Sequence, residues 1–189
     1  MCAISNHSAF DPSQAEDRET RGVRLEPLHL LCKIIHWRSE MSSVHKGVIM
    51  IIKKCTDYYC ARLERGDEII ASLGTAAREQ KLKSAFFFGL GVGKDLVLGY
   101  FNAHTKEYTK KAFEGEYEFT SFSGNISQRE KETIVHCHVT ITDDTFNACG
   151  GHLFQAVVPA TMEIILLPVA PALQRRMDNA TGLYVLDLS

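Results

Sequence analysis

The chain has 189 residues, 45% of them hydrophobic, and a formal charge of -2, which suits one domain of ordinary size with a real core. That charge argues against a broad nucleic-acid-binding surface, because neutralising many phosphates requires a basic excess. No apolar run approaches the roughly 20 residues of a membrane-spanning helix, and the six cysteines contain no Cys-x-x-Cys pair that would signal a zinc knuckle or a thioredoxin-type motif.

Residues 1–48 are expected to be an N-terminal extension, either disordered or the product of a mis-assigned start, with Met41 and Met50 as alternative beginnings. Residues 1–19 are polar and lack periodicity, and residues 27–37 have the pattern of a short amphipathic helix. From residue 49 a regular domain is expected. Residues 48–52 form a short apolar run of strand character, and a strand reaching Arg62-Leu63 ends at Glu64-Arg65-Gly66. A helix over 67–80 follows, burying Ile69, Ile70, Leu73, Ala76 and Ala77. Strands are then expected at 84–88, 96–101, 116–122, 134–142, 152–158, 162–169 and 183–188. The glycines of Gly89-Leu90-Gly91-Val92-Gly93 precede a strand rather than a helix. They therefore predict a tight connection between neighbouring strands and not a phosphate cradle. Many strands and one convincing helix define an α+β domain with a mainly antiparallel sheet.

The chemistry concentrates near residue 140. In Ile134-Val135-His136-Cys137-His138-Val139 the two histidines are separated by one residue, so on a strand both rings point to one face and Cys137 to the other. His152 follows a turn-like cluster, Asp143-Asp144-Thr145-Phe146-Asn147, and a glycine pair. A hairpin centred near Thr145 sets His138 opposite His152, with Cβ atoms ~5 Å apart and His136 on the diagonal within ~8 Å. A bulge at Gly150-Gly151 would break that register. Three neutral imidazoles so placed can hold a transition metal and leave one coordination position open; the alternative is strand histidines satisfied by hydrogen bonds. Cys149 is near enough to serve as a spare ligand or to pack as a small hydrophobe. Glu118 and Glu163 stand mid-strand in apolar or hydroxyl-bearing surroundings, where a carboxylate is paired or functional. Asn125 shapes a turn or reaches a ligand. The Lys53-Lys54, Lys110-Lys111 and Arg175-Arg176 pairs are read as solvated edges.

Several segments in order resemble the plants-and-prokaryotes-conserved (PPC) domain over residues 51–188. They are Arg62-Leu63-Glu64-Arg65-Gly66-Asp67-Glu68, Gly89 to Gly93, Leu98-Gly99-Tyr100-Phe101, Gly115-Glu116-Tyr117-Glu118-Phe119, Ser123-Gly124-Asn125-Ile126-Ser127, the histidine hairpin and Thr161-Met162-Glu163-Ile164. The resemblance implies a compact domain with one main sheet, assembled as a homotrimer. Plant members carry an Arg-Gly-Arg-Pro hook for the DNA minor groove; here Arg21-Gly22-Val23-Arg24 is the nearest segment and departs from it. Prokaryotic members carry a His-x-His and a later Gly-Gly-His that hold zinc, and His136, His138 and His152 match those positions. A more distant likeness to acetolactate decarboxylase also implies zinc on three histidines.

Two functions follow as expectations. The first is a trimeric, zinc-holding module with a DNA-binding or regulatory role. The second is a zinc-dependent lyase, decarboxylase or hydrolase on a small carbonyl or carboxylate ligand, with Glu118 assisting proton transfer. A third treats the chain as an assembly partner for another protein. The composition is that of a cytoplasmic protein with no membrane partner.

Overall fold

A computed structural model describes residues 50–189. The expectations for residues 1–19 and 27–37 lie outside the described residues. Ten elements follow one another: β1 (Ile51–Lys54), β2 (Tyr59–Glu64), α1 (Ile69–Glu79), β3 (Ala85–Asn102), β4 (Glu107–Arg129), β5 (Glu132–Thr142), β6 (Ala148–Val157), β7 (Thr161–Pro168), β8 (Gln174–Asp178) and β9 (Leu183–Asp187). They form a single α+β domain with one sheet in the order β1-β2-β7-β3-β6-β5-β4-β8-β9. Every pairing is antiparallel except a single parallel contact, Gln128 with Gln174. Because β3 also pairs with β4, the strands β3, β4, β5 and β6 close a circuit of pairings.

The local chemistry explains the elements. Tyr59, Ala61 and Leu63 alternate inward along β2, which gives it one buried side. Gly66 turns the chain into α1 with a φ of +94°, a conformation that costs glycine least. Glu68 then caps the helix. One carboxylate oxygen accepts from Ala71 N at 2.6 Å and the other from Ala156 N of β6 at 3.2 Å, so the cap also fastens the helix to the sheet. Ile69, Leu73, Ala76 and Ala77 are fully buried, on the side of the sheet that also takes Cys137, Val139 and Leu153. The histidine face is the opposite one.

Three sequence expectations are corrected. The two strands at 84–88 and 96–101 are one strand, β3, and the glycines between them make no turn. A Cβ on Gly89 would collide with the Glu163 carbonyl oxygen, one on Gly91 would lie 2.6 Å from that of Thr161, and one on Gly93 would lie 2.6 Å from the Phe119 ring. These glycines let β7 and the Phe119 ring approach, and register shifts at Phe88/Gly91 and Lys94/Leu96 bend the strand where they lie. The strand expected at 116–122 extends in both directions to become β4. A register shift between Phe119 and Ser121 there lets both Phe119 and Phe122 enter the core, where their rings meet edge-on at 5.7 Å. Finally, β8 has no counterpart among the expected strands.

Candidate metal centre

The β5–β6 hairpin forms as its sequence predicts. Asp143 Oδ1 accepts from Thr145 N, Thr145 Oγ1 and Asn147 N at 3.0, 2.7 and 2.9 Å, which fixes the loop. These bonds, led by the Thr145 hydroxyl, hold the Asp143 carboxyl below its ordinary value. The register then runs unbroken from Thr142 opposite Ala148 to His138 opposite His152, with no bulge at the glycine pair. A Cβ on Gly150 would lie 2.5 Å from the Val139 carbonyl oxygen, so this glycine serves the close approach of β5.

The three imidazoles converge. Ring centroids are 5.2 Å apart for His136 and His138, 5.0 Å for His136 and His152, and 5.4 Å for His138 and His152. One nitrogen from each lies within 4.8 Å of the others. Two nitrogens on a tetrahedral ion at about 2.1 Å stand about 3.4 Å apart, so small ring rotations suffice for ligation. His152 Nδ1 is buried without a hydrogen-bond partner, a position that costs free energy unless a ligand uses it. Burial, with Arg175 and His138 adding to it, lowers the His136 pKa to about 4; burial, then the neighbouring histidines, Lys110 and Arg175, lower that of His152 to about 4. Both rings are therefore neutral near pH 7, as a metal ligand must be. The donor set fits a zinc-type ion.

The depressed values have a consequence for the metal-free protein. Between pH 6.5 and about 4 the unfolded chain binds protons at these two rings and the folded chain does not, so stability falls as pH drops through that window. The melting temperature of metal-free protein is expected to decline from pH 7 to pH 4.5, and His152→Gln to flatten the decline. Equal slopes for wild type and variant would contradict the buried, neutral state of the ring.

Around the triad lie residues that the sequence placed elsewhere: Arg175, expected at a solvated edge, is partly buried and engaged, and Lys110 stands beside the site. Arg175 of β8 donates from Nε to Ser127 Oγ at 2.7 Å, from Nη1 to the Tyr184 carbonyl at 2.7 Å and from Nη2 to Asn125 Oδ1 at 2.9 Å. Its Nη2 also reaches His136 Nδ1 at 3.2 Å. On the other side, His152 meets the rings of Tyr108 and Phe154 at 5.4 and 4.6 Å, and the Lys110 ammonium sits 3.9 Å from the Phe154 centroid. Arg175 was hidden because β8 touches β4 at one register pair only; nothing local in Gln174-Arg175-Arg176 marks it.

Other candidates stand apart. Glu118 is exposed and pairs with Thr142, whereas His138 pairs with Ser123, so it lies roughly 13 Å along β5 from the row of the triad. Glu163 is exposed and sits between Arg62 and Leu90 in register. Cys149 shares the row of Ile141, not that of His138. Asn125 is in mid-strand opposite His136, and its amide oxygen serves Arg175.

The fold and this face together define a β-rich domain whose central hairpin gathers three histidines. Residues 50–170 match the model of the Plants and Prokaryotes Conserved (PCC) domain, and the chain belongs to that family. No curated protein matches it. Among solved structures, it is similar to a protein from Bacteroides thetaiotaomicron, named for a supposed DNA-binding role, at 27% identity and a TM-score of 0.70, covering 73% of this chain and 96% of that one. A protein from Ralstonia eutropha with the same supposed role matches at 28% identity and a TM-score of 0.68, covering 73% and 96%. A metal-containing protein from Archaeoglobus fulgidus matches at 29% and 0.65, covering 75% and 99%. Among the described residues no helix is long and apolar enough to cross a membrane.

Proposed function

We propose that this PCC-domain chain is a metal-holding module in which His136, His138 and His152 bind zinc and leave one coordination position for an exogenous ligand. The observation that carries the reading is the convergence of three imidazole nitrogens within 4.8 Å, one ring having a buried, unpartnered Nδ1. The metal-containing relative adds support. Zinc at such a site polarises a carbonyl or activates water, which is the chemistry of a lyase, decarboxylase or hydrolase on a small carbonyl or carboxylate compound. Elemental analysis of protein purified without chelators or a histidine tag is expected to give one zinc per chain; protein without metal, and unable to take it up, would refute the site.

The domain is further proposed to assemble as a homotrimer through β3. Phe86, Phe88 and Leu90 project from one side of that strand at 46, 52 and 63% exposure, with Leu167 beside Phe86 in register. Phe88, Ser123 and His138 stand in one row, so this stripe adjoins the triad. Light scattering should give three times the 21.2 kDa chain mass, and Phe88→Asp the single mass; a wild-type monomer would exclude the assembly.

A second reading, DNA binding, is supported by the names of two relatives. It predicts retention on duplex DNA that falls steeply with salt. Failure to bind at ~50 mM salt would remove it.

A further inference from the structure

We propose that the three-histidine centre takes a small organic carboxylate, whose charged end is received by Arg175. The inference rests on the metal-holding reading above and adds the class of ligand.

Charge balance is the first argument. Histidines bind a metal as neutral donors, and the charged side chains set around them are Arg175, with Nη2 3.2 Å from His136 Nδ1, and Lys110, whose ammonium stands 3.9 Å over the Phe154 ring that packs on His152. Among the described residues no hydrogen bond or ion pair brings a carboxylate to the triad; Glu118 pairs in a different row. A divalent ion held there by three neutral ligands stands between two cations with nothing to balance it. An anion in the open position relieves that charge.

The second argument is hydrogen-bond bookkeeping at His136. A guanidinium only donates, so Nδ1 accepts from Arg175 and the proton of the neutral ring sits on Nε2. Metal binding leaves two cases. If the ion takes Nδ1, it occupies the lone pair that Arg175 was using. If it takes Nε2, the proton moves to Nδ1 and faces the N–H of Arg175, donor against donor. Either way an N–H of Arg175 is released beside the metal. Its guanidinium stays in place, because Ser127, Asn125 and the Tyr184 carbonyl still hold it, and Ser127 is fully buried. A fixed, partly buried N–H next to a cation is a receptor for an oxyanion.

The third argument separates an organic carboxylate from inorganic phosphate. Tyr108 and Phe154 form a half-buried aromatic wall against His152. A ligand a few atoms long with an apolar body can lie along that wall while its carboxylate meets the metal and Arg175.

The test is calorimetric titration of benzoate and, separately, inorganic phosphate into zinc-loaded wild type, metal-free wild type and zinc-loaded Arg175→Gln. Zinc content and melting temperature are measured on every sample. Benzoate is expected to bind the zinc-loaded wild type, and to bind both other samples roughly tenfold to a hundredfold more weakly. The metal-free comparison needs no substitution, so it holds even if the variant loses the β8–β9 hairpin. If zinc loads but benzoate does not bind, binds the variant equally well or is outcompeted by phosphate, the carboxylate assignment is overturned and the metal reading survives. If zinc does not load, the metal reading fails and takes this inference with it.

Discussion

His138→Ala is expected to abolish stoichiometric zinc. Two imidazoles rarely hold the ion tightly, and the other candidates among the described residues offer no replacement: Cys149 shares the row of Ile141, and Glu118 that of Thr142. The fall in affinity should exceed the roughly 100-fold that follows loss of an outer-shell partner. His138 is the exposed member of the triad, so its removal leaves no cavity and the metal-free variant should keep its stability to within about 0.5 kcal/mol. That separates loss of a ligand from loss of the fold. His104→Ala, an exposed histidine in the β3–β4 loop, serves as the control and should retain zinc. Equal zinc in His138→Ala and wild type would sink the assignment.

Gly124→Ala is expected to damage both the fold and the site. A Cβ at this position would collide with the carbonyl oxygen of His136, and would lie 2.5 Å from Phe87 Cζ and 3.0 Å from Cys137 Cα. None of these can yield cheaply: two are backbone atoms of β5, and Phe87 is 2% exposed in the core. Such overpacking costs about 2–3 kcal/mol. Because the displaced segment is the one that aims His136 and His138, zinc affinity should fall as well. Gly74→Ala makes the same chemical change with the opposite sign. Its Cβ would meet the mobile end of Arg78 at 3.3 Å, and alanine is favoured over glycine inside a helix by about 1 kcal/mol. Urea unfolding midpoints at constant m-value decide both. A Gly124→Ala protein as stable as wild type would mean that β4 and β5 do not lie this close.

The hairpin was legible because its determinants are local. A run of β-branched residues, a period of two and an aspartate-led turn fix which side chains face each other, and so set His138 opposite His152. The helix was legible for the same reason, through the spacing of Ile69, Leu73, Ala76 and Ala77. The glycines of β3 misled, since a glycine can free the chain to turn or clear space for a neighbour, and only the neighbour decides which. The length of β4 also escaped, because Lys110, Lys111, Glu114 and Glu116 lack the apolar alternation that marks a half-buried strand; β3 nonetheless pairs with Lys110, Lys111 and Glu116.

The amino-acid order alone thus determined the α+β class, the helix α1 and the trio of imidazoles, each a matter of side-chain period within a few residues. What surrounds the trio came from the closed circuit of β3, β4, β5 and β6 and from the docking of β8 and β9. Tyr108 and Lys110 reach His152 around that circuit, and Arg175 reaches His136 from 39 positions along the chain. Such neighbours are fixed by strand pairing between distant segments, whose register no local pattern encodes. The convergence of the three imidazoles was therefore readable from the sequence, and the charge that surrounds them was not.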